Sequence, residues 1–414
     1  MPGRAPFKIC DLPGIRKVDP LSIRLAHRLQ RIRPSPTVSI TALATRLREQ
    51  GRDIIVLSVG EPDFPTPEHI KAAAREALRR NDTKYTPVDG SRALKEAVIG
   101  KFARENRLDY AMEQVLISSG AKQACYNACL ALLDPGDEAL VPAPYWVSYP
   151  DMVRLADAEA VILHTTAEHG FKITAEQLAG AITPKTRLLI LNSPCNPTGA
   201  AYSAADYRSF GAVLREHPRV VILTDEIYEH IYWAKSPFTS FAEACPDLYE
   251  RTLTVNGMSK AYAMSGWRVG YAAGPVALIK AMTALQSQST TNASSISQAA
   301  AAAALSGDQT CVREFCAEFK VRHERVLARV SSLPGFTCVP ASGTFYLFPN
   351  VEGAMRAKGA STDVELCERL LEATGVALVP GSAFGALGHL RLSFAASSTT
   401  LDDALARIER FLQT

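Results

Sequence analysis

VLISSGAKQACYNACLAL, residues 115–132, places Val115, Leu116 and Ile117 before a Ser118-Ser119-Gly120 turn, then spaces Ala121, Ala124, Cys125, Ala128 and Leu132 along one helical face. This reads as a buried strand, a glycine turn and a helix, the unit from which open α/β sheets are built. Outward from it the pattern repeats. Short apolar runs at Ala139–Val141, Arg187–Leu191, Val220–Leu223, Leu253–Val255 and Val269–Ala272 are each bounded by turn residues. Such runs suit a mostly parallel sheet covered by helices on both faces. Upstream, Thr66-Pro67-Glu68 offers a cap, a proline at the first helical position and an early acid. Ile70, Ala73, Ala74 and Ala77 then predict a helix running to Arg80.

The last quarter reads differently. Apolar pieces at Phe345–Phe348, Val376–Val379 and Leu390–Phe394 precede a final helix with Leu401, Ala404, Leu405, Ile408 and Leu412 on one face. A chain of 414 residues exceeds the usual size of one hydrophobic core, so two units are expected. The expected division is a leader over 1–24, a segment over 25–69 joining the smaller unit, a large α/β domain over 70–305 and a small α+β domain over 306–414. The alanine-rich stretch near Ala299–Leu305 bridges the two.

Composition excludes several classes. A 47% hydrophobic, 21% charged chain with a net charge of +3 is an ordinary globular protein, and its Lys and Arg are scattered among acids rather than gathered for nucleic acid. No run of about 18 apolar residues occurs that could span a bilayer. Met1–Asp19 lacks the apolar centre of a signal peptide, and a cytoplasmic location is expected. The nine cysteines are odd in number and show no CxxC pairing, so neither a disulfide framework nor a metal site is expected; Cys125 and Cys129 read as small core residues.

In open α/β sheets ligands collect beyond the carboxyl ends of the strands. Here those ends lead into Tyr145-Trp146, Asn192–Gly199, Asp225–Tyr228 and Ser259-Lys260. Together with Gly60-Glu61-Pro62-Asp63-Phe64, Lys84-Tyr85-Thr86-Pro87, Pro144 through Pro150, Asn196-Pro197-Thr198-Gly199 and the stretch from Lys260 to Gly270, the ordered set resembles the fold-type I pyridoxal-phosphate aminotransferases. Within them it is most similar to the class I beta aspartate aminotransferases, from about Leu25 to the end.

The resemblance implies a role for each position. Lys260 carries pyridoxal 5'-phosphate as a Schiff base and later moves the substrate proton, which requires a lowered pKa. Asp225 pairs with the protonated ring nitrogen and keeps the ring an electron sink. Tyr228 and Asn196 bond the phenolic oxygen, and Trp146 stacks on the ring. The phosphate lies at Gly120, Ala121 and Lys122, where a helix N-terminus offers free N–H groups, with Ser259 and Arg268 completing the site. Tyr85 reaches the phosphate of a neighbouring subunit, which implies a homodimer. Arg391, with the Gly60 backbone and Asn196, grips the substrate α-carboxylate through its bidentate fork. No metal is implied.

Lys122, Ser35 and Thr37 resemble the set that recognises a second, distal carboxylate. Aspartate plus 2-oxoglutarate going to oxaloacetate plus glutamate is therefore the expected reaction. Prephenate or an aromatic amino acid stays open as an alternative, and carbon–sulfur lyases share the fold and the lysine. A cofactor-binding regulator would need a DNA-binding module, for which the leader is too short. Three positions depart from the common pattern: Ala121 for glycine, Cys195 for asparagine and Gly257 for serine. The last deletes a possible phosphate hydroxyl, so a lower cofactor affinity is expected.

Overall fold

The computed structural model describes residue 23, residues 25–32 and residues 36–414, the side chains of 36–39 excepted. The expected leader over 1–24 lies outside the described residues apart from residue 23. Seven strands form the central sheet: β1 (Val115–Ser118), β2 (Glu138–Ala143), β3 (Glu159–His164), β4 (Thr186–Asn192), β5 (Val221–Asp225), β6 (Thr252–Gly257) and β7 (Gly270–Ala273). Their order is β1-β7-β6-β5-β4-β2-β3. β7 runs antiparallel to both neighbours, and the remaining pairs are parallel.

Side-chain alternation explains the layers. Leu188 and Ile190 pack with Leu116, Val141 and Val255 on one face, whereas Leu189 and Leu191 join Leu140 and Ile222 on the other. Both faces are covered by helices, so the inner strands are apolar throughout and legible as runs. β3 was not expected. It is an edge strand whose residues are mostly half-buried or exposed, so its sequence carries a weak signal.

The helix over Glu68–Arg79 buries Ile70, Ala74 and Ala77 as expected, but Thr66 does not cap it. Pro67 is the capping position, and the Thr66 hydroxyl instead donates to the Ala263 carbonyl at 2.6 Å while accepting from Trp267 Nε1 at 3.0 Å. A tertiary contact to the loop after Lys260 takes the group that local pattern assigns to the helix.

A second layer comes from both ends of the described chain. Val379–Pro380, Leu390–Ser393 and Tyr346–Leu347 form an antiparallel sheet, and Ile55–Val56 pairs in parallel with Val376–Ala377. Ile40, Ile55 and Leu57 share one core with Phe345, Val376, Leu390 and Leu405. That core also takes in Tyr228 and Ile231 from the end of β5, so the second layer closes over the carboxyl ends of the central strands. Among the described residues no helix is long and apolar enough to cross a membrane, and the eight described cysteines are free.

Candidate active site

β1, β4, β5 and β6 each end in a turn that points residues into a single cavity of about 460 Å³. Of the residues expected from sequence, Gly60, Ala121, Lys122, Trp146, Asn196, Asp225, Tyr228, Ser259, Lys260, Arg268 and Arg391 all line it. Gly120 adjoins it as the N-cap of the helix Ala121–Leu132. Tyr85 does not enter it and is 90% exposed. Ser35 lies outside the described residues. Thr37 is placed only as a backbone position in the helix Pro36–Glu49, from which Thr41 reaches the cavity wall.

The anion-binding end is built by close backbone approach. Gly120 holds φ of +88°, and a Cβ there would sit 2.5 Å from Arg268 Nη2. A Cβ on Gly270 would meet Ala121 N at 2.2 Å, so glycine is what lets β7 touch the helix N-terminus. Arg268 itself adopts the left-handed region, φ 56°, with Nη1 donating to the Ser265 carbonyl at 2.9 Å and Nη2 to the Ser119 carbonyl at 3.3 Å. Its exposed guanidinium therefore sits over the positive end of the helix. Two positive features side by side suit an anion. At Gly257, a side chain would press on Gly270 Cα at 3.2 Å and the Val269 carbonyl at 3.3 Å, so the missing serine hydroxyl has little room in this chain.

Lys260 lies across the cavity, its Nζ donating to the Gly60 carbonyl at 2.5 Å. Burial and then the nearby Arg391 charge bring its pKa down to about 8. Asp225, at the end of β5, is buried; Tyr149 donates to Oδ2 at 2.7 Å and the Ile227 N–H to Oδ1 at 3.2 Å. Burial pushes its carboxyl up, against the pull of Tyr149, Ile227 and Lys260.

Arg391 is buried and lines the same cavity. Nη1 donates to Asn196 Oδ1 at 3.0 Å and Nη2 to the Ser58 carbonyl at 2.6 Å, while the guanidinium stacks 4.5 Å from the Tyr346 ring centre. Among the described residues Nε has no partner and no carboxylate pairs with this arginine. A buried unpaired cation is costly unless a ligand anion completes it. Tyr228 shares a hydrogen bond with Tyr346, oxygen to oxygen 3.0 Å. Lys122 is exposed, with Nζ 4.9 Å over the Trp146 ring, and desolvation followed by the Arg268 charge lowers its pKa.

Sequence reasoning missed Tyr149, Tyr346 and Ser58. Tyr149 stood inside the quoted Pro144–Pro150 segment, but its partner Asp225 is distant in sequence. Tyr346 read as one more apolar-strand residue. A Cβ on Gly60 would lie 2.3 Å from the Tyr346 hydroxyl, which explains the glycine there and ties the two.

The donor set fits pyridoxal phosphate: an anion cradle, an amine of lowered pKa, a buried acid, and an unpaired arginine for a carboxylate. The family model for aminotransferase class I and II matches residues 52–408. The chain is 48% identical to the aspartate/prephenate aminotransferase of Nitrosomonas europaea, over 94% of this chain and 100% of that one. It is 47% identical to the aspartate aminotransferase of Geobacillus stearothermophilus, over 94% and 99%. The crystal structure of the aspartate aminotransferase from Rhizobium meliloti superposes with a TM-score of 0.91 at 46% identity, covering 95% of this chain and 99% of that one. That of Thermus thermophilus with maleate gives 0.87 at 44%, covering 94% and 100%. The chain belongs to the class I and II aminotransferases and, with its mostly parallel seven-stranded sheet, is a fold-type I enzyme dependent on pyridoxal phosphate.

Proposed function

We propose that this enzyme transfers the amino group of L-aspartate to 2-oxoglutarate, giving oxaloacetate and L-glutamate. The observation that carries the reading is Arg391: a buried guanidinium with no carboxylate partner among the described residues, in the same cavity as a lysine whose pKa is about 8. That is a seat for an α-carboxylate beside a group that can take a proton near neutral pH. Relatives of this length and identity named for aspartate support the choice, and the Thermus structure holds maleate, a four-carbon dicarboxylate.

When bound, pyridoxal phosphate supplies an aldehyde for amines and a conjugated ring that accepts the electrons of a broken C–H bond. Lys260 would anchor it and would move the proton at the substrate α-carbon. Asp225, oriented by Tyr149, would keep a proton on the ring nitrogen. Tyr228 and Asn196 would hydrogen-bond its phenolic oxygen, and Trp146 would stack on the ring. Gly120, Ala121, Lys122, Ser259 and Arg268 would take the phosphate. Arg391, Asn196 and the Gly60 backbone orient the α-carboxylate, while Lys122, with Thr37 and Ser35, takes the distal one.

Tyr85 serves a second copy of the chain, which its 90% exposure outside its own cavity supports, so the working unit is a homodimer with shared sites. The division into a cofactor domain over 70–305 and a small domain from 306, joined by 25–69, and a cytoplasmic location belong to the same reading.

Relatives named aspartate/prephenate aminotransferase, at 48% and 49% identity, favour a second activity on prephenate. The test mixes the holoenzyme with L-aspartate, L-glutamate, L-phenylalanine or arogenate, without acceptor, and records the cofactor spectrum. Conversion to the amine form by aspartate and glutamate supports the proposal, and conversion by arogenate adds prephenate. Absence of conversion with every donor refutes it.

A further inference from the structure

Behind the cavity lies a buried polar cluster that the transfer reaction does not use. Lys101 is fully buried, and Asn106, Glu229 and Asn256 are nearly so. Lys101 ends the helix Arg92–Lys101, where the chain widens into a π-helical turn over Phe102–Asn106 before Arg107 turns left-handed, φ 54°. In an α-helix, residues five apart point well away from each other. The π turn brings them to one side, so Lys101 Nζ donates to Asn106 Oδ1 at 2.7 Å.

Both then meet Glu229. Lys101 donates to Oε1, Asn106 Nδ2 to Oε2 at 2.9 Å, and Asn256 Nδ2 to Oε1 at 2.7 Å. Burial would raise this carboxyl, but the charges of Lys101 and His230 with the hydrogen bonds from Asn106 and Lys101 hold it below its ordinary value. Glu105, Glu229 and His230 have the spacing of metal ligands, yet the Lys101 ammonium already fills the space between the two acids. Glu229 directly follows Tyr228. Asn256 lies in β6, the strand that leads into Lys260. One carboxylate therefore joins the turn bearing Asp225 and Tyr228 to the strand that leads into Lys260.

We propose that Glu229 is a positioning residue: gripped by Lys101, Asn106 and Asn256, it holds the Asp225–His230 turn against the end of β6 and so fixes Tyr228 relative to Lys260. A buried ion pair adds little stability over an apolar pair of the same volume, which leaves geometric definition as its effect. Reacting groups must be held to within about 0.5 Å, and that demand falls on the two segments Glu229 joins. The inference rests on the transaminase reading for what Tyr228 and Lys260 do; the coupling of the segments stands apart from it.

The test compares wild type with Glu229→Gln, which keeps the shape and removes the charge. Leu214→Ala, in a core away from the cavity, is the control for general loss of stability. Amide hydrogen exchange is read on the cofactor-free chain, and the pH midpoint of the bound cofactor's visible absorbance on the holoenzyme. We expect Glu229→Gln to speed exchange about tenfold in both 225–230 and 256–260, and to move the midpoint by roughly one pH unit. It also lowers kcat with KM little changed. Asn106→Ala, which removes one donor, moves all readouts the same way by less and serves if the first variant does not fold. Faster exchange in only one segment, an unmoved midpoint, or the same shift in Leu214→Ala overturns the proposal. Wild type that reacts with no amino donor sinks the transaminase reading, while the exchange data still judge the coupling.

Discussion

The Tyr149 hydroxyl donates to Asp225 Oδ2 across 2.7 Å, and both side chains are buried in the floor of the cavity. Burial and then the Asp225 charge push the tyrosine pKa well above its ordinary value, so the group stays a donor over the working pH range. A hydrogen bond to a charged group contributes about 1.5–3 kcal/mol. Tyr149→Phe should therefore weaken Asp225 as a partner for a ring nitrogen, lowering kcat about 10- to 100-fold and loosening the cofactor. Steady-state kinetics and a cofactor titration check this; wild-type values for both would show that Tyr149 is only packing.

Lys260 should titrate near 8 in the cofactor-free protein, and Arg391 is the first charge responsible after burial. Labelling of Lys260 by an acylating reagent, followed by mass spectrometry across pH, gives the midpoint directly. Arg391→Leu removes the charge and should move that midpoint upward. The sign for stability follows from the same shift. Between about 8 and the unfolded value of 10.5, the unfolded chain keeps a proton the folded one has lost, so this group adds stability as pH rises through that window. Lys260→Met should lack that rise.

Glu226 predicts the opposite slope. Burial, then Glu229, raise its carboxyl to about 8; Oε1 accepts from Thr224, Ser240 and the Phe241 N–H, and Oε2 has no partner among the described residues. A carboxyl raised in the fold gives stability that is complete below its unfolded value of 4.5 and lost as pH climbs through about 8. Glu226→Gln keeps the acceptor and cannot ionise, so its urea midpoint should gain on wild type from pH 5 to 8 and then level off. A pH-independent difference would mean the carboxyl is ionised throughout.

Gly270→Ala tests the anion cradle. The new methyl would lie 2.2 Å from Ala121 N and 2.5 Å from the Gly120 carbonyl carbon, both backbone atoms that cannot swing aside. Overpacking of this kind costs about 1–3 kcal/mol. Thermal unfolding should show that loss, and inorganic phosphate, as a probe of the helix N-terminus, should protect the variant less than wild type. Equal protection would place the anion elsewhere.

Much of this was legible in the chain. The inner strands bury both faces and so appear as apolar runs, and the residues lining the cavity follow their ends. What was hidden depends on contacts distant in sequence or on exposed edges. β3 is half-exposed and reads weakly. Thr66 has the look of a helix cap until the loop after Lys260 claims its hydroxyl. Tyr346 reads as core until the Gly60 backbone approaches it. Glu229 sits in the quoted neighbourhood of Asp225, yet its partner Lys101 comes from a helix 128 residues earlier, and no local pattern marks a π turn.

The central claim is amino transfer from aspartate through Lys260. The most direct measurement incubates the holoenzyme with ¹⁵N-labelled L-aspartate and 2-oxoglutarate and follows the label by mass spectrometry, alongside Lys260→Ala. The account predicts label appearing in glutamate with matching oxaloacetate, and transfer abolished in the variant. Label released as ammonia, or glutamate formed equally well without Lys260, would contradict it.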